Sequence, residues 1–300
     1  MAIFFNCMYY LVYGFFYLFS LLPFWIIYGI SDFFCFIIYQ VWGYRKEIVM
    51  NNLAIAFPDK SLAERKKIAK EFYRNLIDNF IETIKLLSIS PKTLNKRFTC
   101  NYSLLNEYYK AHSSVQAHLG HFFNWEYANL AFSLNSDYPV LVIYMPLVNK
   151  LFNKIFYKLR TRFNAKMIAA TAFRNEFLPY SKERFCLIFV ADQNAGITEK
   201  AYWSPFFGKL APFVTGPEKS ARLNNTPVFV TKIRKIKRGH YEATIELLTG
   251  EPRSLKEGEI TRRMITFVET AIKEQPANYL WSHRRWKHEF DPSRHAELVI

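Results

Sequence analysis

The chain has 300 residues, 51% hydrophobic and 18% aromatic, yet carries a formal net charge of +15 from 40 Lys and Arg against 25 Asp and Glu. That length holds one large domain, or one domain with an appendage, around a full hydrophobic core. A chain both apolar and basic suits an anionic membrane or an acidic partner better than nucleic acid, for which no recognisable module occurs.

The first 44 residues contain one charged side chain, Asp32. Residues 8–30 are almost unbroken apolar and aromatic, long enough to cross a bilayer, and 33–42 add a second, shorter run. No basic leader and no small-x-small cleavage site accompany them, which argues against a signal peptide. Trp25, Tyr28, Tyr39, Trp42 and Tyr44 are aromatics of the kind that sit at a membrane interface. Pro23 and Asp32 make a re-entrant or monotopic arrangement an alternative to a span. Positive charge returns at Arg45 and Lys46, which places the rest of the chain on the cytoplasmic side. The expected division is therefore a membrane anchor over 1–44 and a catalytic domain over 45–300.

Beyond the anchor, Ser61 with Glu64 three residues on forms a capping box, opening a helix that runs to about Leu87. Residues 115–119, 139–144 and 185–191 read as buried strands, the last of them central. Helical spacing lies between them at 125–133, 150–160 and 173–182. Strands follow at 227–233 and 241–248, and a helix at 259–274. Strands alternating with helices imply an α/β sandwich with a largely parallel sheet flanked by helices, preceded by a hydrophobic helical segment.

Cys7, Cys35, Cys100 and Cys186 are scattered and contain no C-x-x-C pair, so neither a zinc module nor a disulfide framework is indicated. His121 follows the strand ending at Leu119 and precedes a helix opening near Asn124, Trp125 and Glu126. Ligand crevices of open α/β sheets lie at such carboxyl ends of strands. A carboxylate in the first helical turn is stabilised by the helix dipole and can reach back to an imidazole. Glu126 is thus expected to orient His121 as a general base for a hydroxyl. Seven His residues make the H-x4-E spacing a common coincidence when taken alone. A metal shared by His118, His121 and Glu126 is disfavoured, because strand alternation sends neighbouring side chains to opposite faces.

With its neighbours the motif gains specificity. Gly120-His121-Phe-Phe-Asn124-Trp-Glu126 resembles the H-x4-D/E block of the lysophospholipid acyltransferase-like superfamily. Its Asn-Trp-Glu ending looks like the lipid A biosynthesis late acyltransferase family. In the same order come Arg45…Phe57-Pro58, Leu159-Arg-Thr-Arg162, Ala191-Asp-Gln193, Phe206-Phe-Gly208 with Gly216-Pro217, and Tyr279-Leu-Trp-Ser-His-Arg-Arg-Trp-Lys287. The resemblance spans the chain from the anchor to residue 287. One departure is Phe123, where the family usually has Gly; its ring is expected to reshape the acyl tunnel or the acceptor's approach.

The resemblance implies an O-acyltransferase, acting without a cofactor at a bacterial inner membrane. Acyl carrier protein would present the acyl thioester, and the acceptor would be a lipid A precursor. His121, Glu126 and Arg160 are the expected catalytic residues, with Arg162 an equally spaced rival for the cation at the oxyanion. Asn124, Arg162, Asp192, Gln193, Arg284 and Arg285 are the expected substrate contacts. His283, Arg284, Arg285 and Lys287, interleaved with Trp281 and Trp286, suit phosphate or carboxylate headgroups. Alternatives left open are another glycolipid, aminolipid or polyene acceptor and, from a different class, a non-catalytic membrane scaffold for acidic partners.

Overall fold

The computed structural model describes residues 2–111 and 114–300. In chain order the elements are α1 (Ala2–Leu21), α2 (Phe24–Phe36), α3 (Lys46–Ala56), α4 (Leu62–Lys85), α5 (Pro91–Arg97), β1 (Phe98–Cys100), α6 (Ser103–Lys110), β2 (Val115–Leu119), α7 (Trp125–Asn135), β3 (Val140–Tyr144), α8 (Lys150–Arg160) and β4 (Lys166–Ala169). The chain continues through α9 (Phe173–Phe177), β5 (Cys186–Val190), the hairpin β6 (Tyr202–Phe206) and β7 (Lys209–Phe213), α10 (Gly216–Asn224), β8 (Val228–Lys237), β9 (His240–Thr249), α11 (Glu259–Glu274) and α12 (Pro292–His295).

Seven strands form one sheet in the order β1-β9-β8-β2-β5-β3-β4. Five run parallel, from β4 to β8; β9 turns back on β8, and β1 pairs parallel to β9. The central strands β2 and β5 are buried on both faces; β5 is a continuous apolar stretch, whereas β2 buries Gln116 and His118 between its apolar residues. The crossovers β2–α7–β3 and β3–α8–β4 step toward one edge of the sheet, and β5–α10–β8 steps back toward the other. Right-handed crossovers therefore put α7 and α8 on one face and α10 on the opposite one, where Gln116 of β2 bonds Ser220.

The helix starts follow from local chemistry. Ser61 Oγ accepts from the Glu64 amide, and Glu64 returns a bond to the Ser61 amide at 2.8 Å. Asn124 caps α7 and Asn149 caps α8 through their side-chain oxygens, each cap worth about 1 kcal/mol. The helix expected over 173–182 is shorter. α9 ends at Phe177 and tightens into a 3₁₀ turn at Leu178–Tyr180, because Pro179 has no amide to continue the ladder.

The N-terminal apolar helices lie against the rest of the chain. Tyr28 and Ser31 of α2 donate to Glu82 and Asp78 of α4, and Asp32 pairs with Arg238 in the β8–β9 turn. Lys85 Nζ donates to the carbonyls of Ser20 and Leu22, capping the C-terminal end of α1. The helical run Phe24–Trp42 is long and apolar enough to cross a membrane by length and composition. Its outer flank stays exposed at Trp25, Phe33, Phe36, Val41 and Trp42.

Candidate active site

Strands β2 and β5 pair in parallel, His118 beside Phe189 and Leu119 beside Val190. Two residues past each strand, the same register brings His121 opposite Asp192. His121 Nδ1 lies 2.6 Å from Asp192 Oδ1, and the His121 amide donates to Oδ2 at 3.0 Å. Asp192 is fully buried. Burial alone would raise its pKa. The neighbouring His121 charge, hydrogen bonds from the imidazole and amide of His121, and one from the Tyr279 hydroxyl prevail and hold the carboxyl at about 2. An ionised Asp192 can only accept, so the imidazole donates its Nδ1–H to it and keeps the Nε2 lone pair for another donor.

The expected His121–Glu126 pairing is not the one formed. Glu126, in the first turn of α7, receives both Nε (3.0 and 3.1 Å) and Nη2 of Arg160, and the Trp125 indole N–H at 3.2 Å. Arg160 ends α8, and its backbone carbonyl accepts from Asn129 of α7, which ties the two helices together. Burial of the guanidinium is outweighed by the Glu126 charge and its hydrogen bonds, which raise the Arg160 pKa. The physical reason for the switch is reach: Asp192 shares a strand register with His121, whereas Glu126 points along α7 toward the α8 terminus.

His121 and the Glu126–Arg160 pair border a single cavity of about 640 Å³, within the range of small-molecule sites. Its floor is Ala117 and Leu119 of β2, Ile188 and Val190 of β5 and Val142 of β3, alternate residues that share one face of the sheet. Trp125, Ala128 and Phe132 of α7 roof it, one or two turns apart. Apart from His121, Glu126, Arg160, Gln193 and a few hydroxyls and amides, the lining is hydrocarbon, the environment a fatty acyl chain requires.

The remaining expected contacts divide. Gln193 lines the cavity. Asp192 stands behind His121 as its partner. Asn124 is fully buried and spends both ends internally: its Oδ1 accepts from the Tyr127 amide and its Nδ2 donates to Glu82. It shapes the start of α7 instead of touching substrate. Arg162 turns away from the cavity to the carbonyls of Leu86 and Ile89. Arg285, expected at a headgroup surface, is buried between Phe206 and Phe213 and donates to Asn194 and the Pro212 carbonyl. Burial pushes its pKa down to about 10. Arg284 alone of that pair is exposed, so the terminal basic block is split between core and surface. Phe123 also faces inward, stacked on Phe72 of α4 with no exposed surface, and it is not part of the cavity lining.

Three contributors were absent from the sequence reading of the site. Tyr279 bonds Asp192, and the Leu280 amide donates to the His121 carbonyl, so the 277–283 segment braces the His121 loop. That segment is held by Asn52, whose Nδ2 donates to the carbonyls of Trp281 and His283, and by Arg45 on Ser282. Glu82, buried in α4, accepts from Asn124, Tyr28 and Tyr241. The Tyr279 block and the Arg45…Pro58 stretch, which holds Arg45 and Asn52, carried a signal as parts of the resemblance; Glu82 sits at an unremarkable helical position.

A His–Asp pair at the carboxyl edge of a parallel sheet, its half-buried imidazole on the wall of a mostly apolar cavity, fits the class of enzymes that work on an acyl chain. The family model for bacterial lipid A biosynthesis acyltransferases matches residues 4–288. The chain is 26% identical over 247 residues to the lipid A biosynthesis palmitoleoyltransferase of Escherichia coli (strain K12), covering 81% of this chain and 79% of that protein. The lipid A biosynthesis acyltransferase of Shigella flexneri matches with the same identity and coverage. The chain belongs to the bacterial lipid A biosynthesis acyltransferase family and is an acyltransferase.

Proposed function

We propose that this acyltransferase moves a fatty acyl chain from a thioester on acyl carrier protein to a hydroxyl of a lipid A precursor. It would work at the cytoplasmic face of the inner membrane, held there by residues 1–44. The names of the relatives support the acceptor. The exposed apolar flank of the N-terminal helices and the net charge of +15 support the membrane and an acidic donor protein.

In this reading His121 is the general base. The acceptor hydroxyl gives its proton to Nε2 while its oxygen attacks the thioester carbonyl carbon, and a tetrahedral oxyanion forms. Asp192 holds the ring and stabilises the imidazolium. Arg160, fixed by Glu126, supplies positive charge at the cavity wall as the oxyanion develops. Collapse breaks the carbon–sulfur bond, and the thiolate takes the proton from His121, leaving an ester and a free thiol.

The observation that carries the proposal is the 2.6 Å His121–Asp192 contact at the edge of an apolar cavity. The test is acyl transfer from acyl carrier protein thioester to detergent-dispersed lipid A precursor by wild type and His121→Ala. Loss of transfer in the variant is expected; full activity in it would overturn the mechanism. Wild type that binds the precursor but transfers nothing would favour the scaffold reading.

A further inference from the structure

The rim of the cavity carries apolar side chains that the fold does not bury. Met145, Leu147 and Val148 follow β3 without an intervening charged residue; Met145 is 65% exposed and Val148 fully so. Met145 and Leu147 line the same cavity as His121. The tip is held in place: Asn153 Oδ1 accepts from the Leu147 amide at 2.9 Å, and Asn149 Oδ1 accepts from the Leu151 and Phe152 amides. Water-facing hydrophobic residues on a pinned loop need another environment to be stable there.

Two observations say which environment. The tip is continuous with the apolar N-terminal helix, because exposed Phe152 of α8 packs on Phe16 of α1, whose own flank exposes Leu11, Phe15 and Leu18. Beside this apolar band runs a row of lysines spaced four apart on α8, Lys150, Lys154 and Lys158. Lys154 lies 4.1 Å over the Tyr9 ring and Lys158 4.1 Å over Tyr13. Exposed apolar and aromatic side chains flanked by a lysine row are the combination an anionic lipid leaflet takes, tails for the one and phosphates for the other.

Resting on the membrane reading above, we propose that the Met145–Val148 tip and the start of α8 form a second membrane contact at the cavity mouth, one that enters an anionic leaflet beside α1. The acceptor lipid and its product would then pass between bilayer and site without their chains meeting water. α1 and α2, bonded along α4 and α8, would lie with the tip in one leaflet.

The test uses full-length protein with Val148→Cys carrying a polarity-sensitive fluorophore, in a Cys7→Ser background. It is reconstituted with vesicles of phosphatidylethanolamine and phosphatidylglycerol, or of phosphatidylcholine alone. Blue-shifted emission and quenching by bromine on shallow acyl carbons are expected, stronger in the anionic vesicles. Val148→Glu should raise KM for vesicle-borne acceptor about tenfold with kcat unchanged, and leave transfer to detergent-dispersed acceptor intact. Vesicle-bound protein with an aqueous probe signal at 148 overturns the tip and spares the anchor. Protein that fails to float with either vesicle overturns the membrane reading and this inference with it. Equal insertion in both vesicles overturns the role of the lysine row.

Discussion

Glu126 and Arg160, 34 residues apart, form a two-pronged ion pair in the wall of the cavity that His121 borders. The two residues were expected in one catalytic set, and the geometry gives them to each other. The motif carboxylate thus acts on the imidazole only at a distance, while fixing the guanidinium that the oxyanion would meet. Removing one partner leaves an uncompensated charge at a mostly buried site. Arg160→Met should therefore cost roughly 3 kcal/mol of stability, and Glu126→Gln/Arg160→Met should recover part of it. Thermal unfolding in detergent reads both. The double variant should remain inactive, since stability returns without the cation.

Asp192→Asn should lower kcat by about 10²–10⁴-fold while leaving KM for the acceptor near wild type, because the amide favours the wrong imidazole tautomer. The substitution also changes acid stability. A carboxyl held below its ordinary value of 3.8, at about 2, contributes stability that is complete above the unfolded value and lost as pH falls through the folded one. That contribution is about 2 kcal/mol, disappearing between roughly pH 4 and pH 2. The unfolding temperature of Asp192→Asn should be flatter across that window than wild type; parallel curves would contradict the pairing.

Glu82→Ala should strand three donors, Tyr28, Tyr241 and Asn124, at a site with no exposed surface. The expected loss is roughly 3 kcal/mol. Because Asn124 caps the helix bearing Glu126, kcat should fall as well, though no substrate touches Glu82. Burial outweighs those hydrogen bonds and raises the pKa of the acid. Its contribution is present at low pH and lost as pH rises through the folded value, so Glu82→Gln should resist alkaline unfolding better than wild type.

Ala128→Leu adds bulk to the roof of the cavity, one turn inward from Trp125. Donor preference should move to shorter acyl chains, with kcat/KM for the longest wild-type donor falling about tenfold or more. A panel of acyl carrier protein thioesters of graded length measures this. An unchanged profile would place the acyl chain elsewhere.

The sheet was legible because its buried parallel strands are short and largely apolar: 115–119 coincides with Val115–Leu119 despite Gln116 and His118, and the unbroken apolar run 185–191 encloses Cys186–Val190. The β6–β7 hairpin and the short β1 and β4 were not, since Pro205, Pro212 and three- or four-residue lengths blur any period. At the site, His121 and the apolar setting could be read from local pattern. Its partner could not, because which strand lies beside β2 is a tertiary fact; the 71-residue step between His121 and Asp192 follows from register alone. Arg285 shows the converse failure. A basic, aromatic-rich string looks like a surface patch, and only packing shows that one guanidinium has been folded in among the rings.

The bracing of the His121 loop by residues 277–283 has a consequence for biosynthesis. The segment that braces the His121 loop is synthesised long after its fastenings, Arg45, Asn52 and Asn75; 202 residues separate Asn75 from Ala277. The apolar helices α1 and α2 emerge earlier still. Under the proposed membrane reading the enzyme would be addressed to its surface long before it can act, competence arriving only when residues 277–283 meet residues 45–75. A chain ended after Gln275 should reach the membrane fraction and transfer nothing, which pulse-labelled fractionation with an acyl-transfer assay can establish.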